Sequence, residues 1–296
     1  MRVARWRDGT GTEWVGTLEE ARLQPVERVE GARQGDAAVV ALASAGARPG
    51  LAGPPVDPGG VRLLAPVRQP PSVRDFSAFE QHVATARAAR GEAVPAEWYD
   101  LPVFYFSNPH AVHGPDEEVL RPQTTKLDYE LEVAAVIGRD GRDLDEAGAL
   151  AAIAGYTIFN DLSARDVQAR EMRVGLGPAK GKDFASVLGP VLVTPDELDG
   201  SRLRPRAAMI ARVNGVEWSR GELADLHHTF ADMIVHASRD AVVRAGDVIG
   251  SGTVGTGCIL ELAAAHGAER YPWLAPGDVV ELEVAGIGVL RTPIAG

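Results

Sequence analysis

The stretch Lys126-Leu-Asp128-Tyr-Glu130-Leu-Glu132-Val-Ala-Ala-Val-Ile137 places an acidic residue at every second position and then turns apolar. Side chains alternate faces along a strand, so Asp128, Glu130 and Glu132 share one face and Tyr129, Leu131 and Val133 the other. Carboxylates set side by side on a core strand cost free energy unless positive charge neutralises them. Spacing alone leaves two readings open, a solvated face of a half-buried strand or a seat for a hard divalent cation. Asp161 adds to the second reading. It closes the apolar run Ile158-Phe159-Asn160 at a junction where a strand gives way to a helix, and Ser163-Ala-Arg-Asp166 looks like a capping box for that helix. Arg165 and Gln168 then share a helix face, a cation and an amide suited to an anionic, carbonyl-bearing substrate. A third segment is Arg74-Asp75-Phe-Ser-Ala-Phe-Glu-Gln-His82. If it is helical, Asp75 and His82 stand about 10 Å apart along the axis. That is too far for one ion and suits a metal ligand at one end and a base at the other. The competing reading has Asp75 as an N-cap and His82 as an ordinary helix residue.

Other motifs fail on inspection. Gly250-Ser-Gly252-Thr-Val-Gly255 has the letters of a dinucleotide fingerprint, but the next residues, Thr256-Gly-Cys-Ile-Leu260, read as turn and strand where a helix is needed. Gly177-Pro-Ala-Lys180-Gly181-Lys182-Asp183 lacks the first glycine of a phosphate loop and has Asp183 in place of its Ser/Thr. Cys258 lies in an apolar run and reads as a small core residue. His227 and His228 read as structural residues on an amphipathic helix, Glu222–Ala237, and His110 and His113 as exposed residues of a Pro-rich loop.

The elements that must position these groups are mostly strands. Candidates are Leu127–Ile137, Ala154–Phe159, Val187–Val193, Ala207–Val213, Asp247–Ile249, Ile259–Leu262 and Val279–Val284, with a type I′ hairpin at Asn214-Gly215. Helices are expected over Phe79–Arg90, Leu144–Ile153, Ala164–Met172 and Glu222–Ala237. Without regular βαβ alternation, this favours a mixed, largely antiparallel α+β architecture. A turn-rich stretch, Leu51–Gly60, suggests a small N-terminal domain over residues 1–64 and a main body over 65–296, opening on a short strand at Leu63–Val67.

Composition narrows the function classes. The 296 residues are 45% apolar and 24% charged, ordinary for a globular chain, with a net charge of -11. A nucleic-acid binder would show a basic balance or a basic patch. No run reaches the ~18 apolar residues of a membrane span. The single cysteine cannot form an internal disulfide. A soluble cytoplasmic protein is the default expectation. Only three lysines occur, Lys126, Lys180 and Lys182.

Several ordered segments together resemble the fumarylacetoacetate hydrolase family, from about Leu64 to the C-terminus. They are Asp75-Phe-(x5)-His82, Pro102-Val-Phe-Tyr105, Asp128-Tyr-Glu-Leu-Glu132, Phe159-Asn-Asp-Leu-Ser-Ala-Arg-Asp-Val-Gln168, Gly181-Lys-Asp-Phe184, Ser251-Gly-Thr-Val-Gly255 and Gly257-Cys-Ile-Leu-Glu-Leu262. The resemblance implies a predominantly β, rolled mixed-sheet body, usually dimeric, binding Mg²⁺, Ca²⁺ or Mn²⁺ through Asp75, Glu130, Glu132 and Asp161. It implies His82 as the base that activates water, Glu261 as its orienting partner, and Lys182 against developing negative charge. Tyr105, Arg165, Gln168 and Thr253 become substrate contacts. Smaller members carry a glutamate three residues after the histidine; here Thr85 stands there, which leaves the pairing to Glu261. Ser77 and the Ser107–Gly114 loop depart from the hydrolase that gives the family its name, and both bear on substrate choice.

The implied reaction is hydrolysis of a carbon–carbon bond in a 1,3-dioxo acid of fumarylacetoacetate or acylpyruvate type. Decarboxylation, isomerisation or hydration of a 2-oxo acid passes through a similar enolate, and a binding protein without turnover is a lesser alternative.

Overall fold

Two runs, Leu131–Ile137 and Ile153–Asp161, are buried at every position. They pair antiparallel, with Glu132 opposite Phe159, and form the centre of a mixed eleven-stranded sheet. The computed structural model describes residues 1–46, 50–88 and 91–296. On one side of this pair the sheet continues through Ser186–Val193 to Arg2–Arg7, Glu13–Glu19 and Arg22–Val29. On the other it continues through Val248–Gly250 to Val73–Phe76, the one parallel step in this row, and ends at Phe104–Ser107. A second, five-stranded sheet holds Val216–Glu222, Ala208–Val213, Val279–Val284, Gly288–Ala295 and Val119–Leu120. Seven helices fill the connections among the described residues: α1 Gly31–Ser44, α2 Glu80–Ala88, α3 Glu97–Asp100, α4 Glu146–Ala152, α5 Arg165–Val174, α6 Phe230–Ser238 and α7 Ile259–His266.

Strand alternation sorts the central residues onto two faces. Leu131, Val133, Ala135 and Ile137 enter the large core with the second sheet (Met209, Ala211, Val280, Leu282) and α6 (Phe230, Met233, Ile234). Ala134, Phe159, Val73 and Val248 form a smaller cluster on the opposite face. Glu132, Asp161 and Asp75 each lie two residues from a member of that smaller cluster. Period-two geometry therefore delivers all three carboxylates to the same face and the same end of the sheet, with the Val248–Gly250 strand between those of Glu132 and Asp75.

The Asn214-Gly215 hairpin forms with both residues at positive φ, 52° and 77°, as a type I′ turn requires. Four expectations change. Ile259–Leu262 begins a helix rather than a strand. The helix expected from Glu222 starts at Phe230, because Thr229 and Asp232 make a reciprocal capping box there while Val216–Glu222 pairs as a strand. His227 and His228 therefore precede α6. The helix expected over Phe79–Arg90 spans Glu80–Ala88; Ala89 and Arg90 lie outside the described residues. Of the opening strand expected at Leu63–Val67, only Leu63 pairs, in a short strand Arg62–Leu63.

The segment 1–64 has a small core of its own, with Val3, Val15, Val29, Val39 and Val40, but Val67, Val136 and Leu192 of the body complete it. Its strand Arg2–Arg7 pairs directly with Ser186–Val193. The fully buried Arg5 bonds Asp36 of α1, whose carboxylate accepts N–H groups of Arg68 and Gln69.

Candidate active site

Asp75, Glu130, Glu132 and Asp161 each offer an oxygen, and the four atoms lie within 4.8 Å of one another. All four residues are buried, which removes the reading of a solvated strand face. Asp75 comes from the Val73–Phe76 strand, not from a helix, and lies directly beside Gly250. A Cβ at Gly250 would collide with the Asp75 carboxylate and the Phe159 ring, so only glycine lets the acid lie there. Gly252 N–H donates to Asp75 at 3.2 Å. Asp161 ends its strand, as the sequence predicts. The capping box expected at Ser163 does not form: Ser163 bonds the Asp161 carbonyl, and Asp166 accepts instead from Thr124 and Thr125.

The acidic strand is interrupted at Tyr129-Glu130, and this separates Asp128 from its neighbours. Asp128 turns to accept N–H groups of Ile259 at 2.7 Å and Leu260 at 3.0 Å, the first turn of α7, together with Arg165 Nε at 2.8 Å. A carboxylate at a helix N-terminus satisfies orphan donors and complements the dipole. The cap for α7 thus stands 131 residues away in sequence, which is why Ile259–Leu262 reads as a strand by local pattern alone. Arg165 Nη2 reaches Glu130 at 2.7 Å and Nη1 reaches Gln168 at 3.1 Å, so the expected pair does share a helix face. Asp128 is the acid that sequence spacing misplaced: it caps α7 and holds Arg165 instead of facing the other carboxylates.

Lys182 Nζ, buried, donates to both Glu130 and Asp161. Tyr105 donates to Asp161, with Lys182 Nζ 5.8 Å from its ring. Thr253 Oγ1 lies 3.4 Å from Glu132. Burial, then the Asp161 charge, push the Tyr105 phenol well above its ordinary range and keep it a donor. His82 Nδ1 stands 2.9 Å from Glu261, which sits in the first turn of α7. Cys258 contacts the same Glu261 oxygen at 3.5 Å, and burial pushes its thiol far up, so it is a protonated core residue. His228 and His227 bond the carbonyls of Trp98 and Tyr99 and fasten α3. His110 is exposed and His113 half-buried, and neither belongs to the carboxylate group.

The electrostatics test whether a cation fits. Burial pushes Glu132 well up, with Asp75 and Glu130 adding to it. Burial likewise raises Asp161 and Asp75, against the pull of Lys182. Glu130 moves down, because Arg165 and Lys182 together outweigh its burial. Glu132 Oε2 and Asp161 Oδ1 are buried with no hydrogen-bond partner. Oxygens on opposite sides of an ion bound at 2.0–2.4 Å would be about 4–5 Å apart. The spacing, the hard donors and the two orphaned oxygens all fit a divalent cation. Binding is expected to release protons, since three of the four carboxyls hold theirs above the usual range, and to weaken as pH falls. Calorimetry with Mn²⁺ in buffers of different ionisation enthalpy reads the proton count, and zero release would contradict this electrostatic picture.

Residues 72–295 match the family model described as fumarylacetoacetate (FAA) hydrolase C-terminal. The human oxaloacetate tautomerase FAHD2A, mitochondrial, is 33% identical over 236 residues, covering 78% of this chain and 68% of that protein. The solved fumarylacetoacetate hydrolase of psychrophilic Exiguobacterium antarcticum superposes with a TM-score of 0.76 at 26% identity, covering 100% of both chains. Maleylpyruvate hydrolase from Sphingobium sp. SYK-6, solved in complex with manganese(II) ion and pyruvate, shares the fold. Its TM-score is 0.73 at 19% identity, over 100% of this chain and 99% of that one.

Proposed function

This chain belongs to the fumarylacetoacetate hydrolase family, and from that premise we propose that it hydrolyses a carbon–carbon bond in a 1,3-dioxo acid of acylpyruvate type. The observation that carries this reading is the His82–Glu261 pair, 2.9 Å apart, which joins α2 to α7, the helix whose start Asp128 holds beside Arg165. Asp75, Glu130, Glu132 and Asp161 would hold Mg²⁺, Mn²⁺ or Ca²⁺, which when bound supplies Lewis acidity toward the substrate's oxygens.

The protein's own groups do the rest. Glu261 accepts from Nδ1 of His82, which fixes the tautomer and leaves Nε2 to take a proton from water. The hydroxide adds to one carbonyl carbon. The carbon–carbon bond then breaks, its electron pair leaves with the departing fragment as an enolate, and His82 returns the proton to it. Lys182 Nζ has three protons; two engage Glu130 and Asp161, and the third is available to the enolate oxygen. Arg165 and Gln168 would present donors to the substrate's carboxylate, and Tyr105 and Thr253, which bond Asp161 and Glu132, would contact it from the metal side.

A second reading is supported by the relative named oxaloacetate tautomerase. There His82 would carry a proton between carbon and oxygen without water. A small panel of acylpyruvates and oxaloacetate separates the two. Cleavage of an acylpyruvate, lost in EDTA and restored by Mg²⁺ or Mn²⁺, is the expected result. Enol–keto conversion of oxaloacetate with every acylpyruvate left intact would overturn hydrolysis in favour of tautomerisation.

We also propose a homodimer. The sheet ends at the Phe104–Ser107 strand with Phe106 62% exposed, next to exposed Val103 and Leu101, an apolar edge that a second copy would cover. Light scattering at micromolar concentration is expected to give twice the 31.3 kDa chain mass; a monomer would refute it. No helix among the described residues is long and apolar enough to cross a membrane.

A further inference from the structure

We propose that Glu171 is a positioning residue, clamping the turn that presents Lys182 onto α5, the helix that presents Arg165 and Gln168. The inference deepens the proposed function and rests on Lys182 serving the reaction.

Glu171 lies in the second half of α5, where the helix dipole disfavours a carboxylate. Its placement is explained by what it accepts. The N–H groups of Ala179, Lys180 and Gly181 converge on it at 3.1, 2.6 and 3.1 Å. Three successive amides aimed at one anion form a nest, here filled by the protein's own side chain. The turn they form closes with Lys182 N–H on the Ala179 carbonyl at 3.0 Å, and Gly181 C=O accepts from Ala164 N–H at 2.8 Å. Gly181 rests on α5 so closely that a Cβ there would lie 2.9 Å from the backbone nitrogen of Gln168. The turn is thus seated against the start of α5 and fastened from its far end by Glu171. Val174, at the end of α5, and Leu176, in the connection, add no apolar fastening, being 82% and 80% exposed. Lys182, by contrast, is only 3% exposed, and its ammonium must reach Glu130 and Asp161 from this turn. A turn free to shift by a fraction of an ångström would carry the ammonium off its place, the kind of error that costs a large rate factor.

The test is a double-mutant cycle with Mn²⁺ at saturation, joined to amide hydrogen exchange. Glu171 is partly exposed, so Glu171→Ala leaves the three amides to water and the fold intact. It is expected to lower kcat roughly tenfold with KM within about twofold, and to speed exchange across residues 179–182. Glu171→Gln, which keeps one acceptor oxygen, is expected to recover part of the loss. In a Lys182→Ala background, Glu171→Ala should cost less than about twofold further, because the group it positions is gone. The same tenfold loss in both backgrounds, or wild-type kcat in Glu171→Ala where Lys182→Ala is slow, would overturn the proposal. If Lys182→Ala turns over like wild type, or no acid in the panel is turned over, the functional reading fails separately. Exchange then decides the clamp, with unchanged protection of 179–182 in Glu171→Ala sinking it and faster exchange upholding it.

Discussion

Replacing His82 with alanine is expected to lower kcat by roughly two to four orders of magnitude, the usual worth of a general base, while the affinity for Mn²⁺ stays at the wild-type level. The separation of the two readouts follows from the geometry. His82 sits on α2 and touches Glu261, and it is not among the four residues that converge within 4.8 Å. Glu261→Gln gives a smaller loss, since the amide still contacts Nδ1 but carries no charge to stabilise the imidazolium. Steady-state kinetics on a cleaved acylpyruvate, with Mn²⁺ titrations of each variant, are the measurement. A folded His82→Ala protein with near-wild-type kcat would remove water activation from the mechanism and leave tautomerisation or decarboxylation.

The second large effect concerns Lys182, and it divides between rate and stability. Its ammonium is the cation that Glu130 and Asp161 share inside the core. Removing one partner of a buried ion pair costs about 3–5 kcal/mol, because the remaining charge is left unpaired. Lys182→Ala without metal is therefore expected to melt far below the wild type. Saturating Mn²⁺ should restore most of the difference, as the ion binds only the folded site. In Mn²⁺ the variant still loses kcat, since the charge that meets the enolate is gone. Lys182→Arg rescues stability more than rate, the guanidinium being wider and unable to act as a point charge. Thermal melts in EDTA and in Mn²⁺ check this; an equal gap in Tm under both conditions would contradict it.

What the sequence revealed depended on how local the signal was. Glu130, Glu132 and Asp161 were legible because period-two alternation and a strand-to-helix junction are short-range features. The Arg165–Gln168 pair and the Asn214-Gly215 turn were legible for the same reason. The contact between His82 and Glu261 joins residues 179 positions apart, and no spacing rule reaches it; only the resemblance did. Asp128 was grouped with Glu130 because alternation assumes an unbroken strand, and the break at Tyr129-Glu130 is imposed by tertiary partners. The helix at Ile259 was missed for the complementary reason, since its cap is that same distant Asp128. The start of α6 was readable in principle, as Thr229 and Asp232 carry an ordinary capping box.

The pairing of Arg2–Arg7 with Ser186–Val193 puts the first strand only two ladders away from Asp161. Between the opening meander and the carboxylate group there is continuous hydrogen-bonded sheet. Fraying that begins at the first hairpin strips partners from Ser186–Val193 and then from the strand that ends in Asp161. The carboxylate group and the opening meander are therefore expected to unfold together as one cooperative unit.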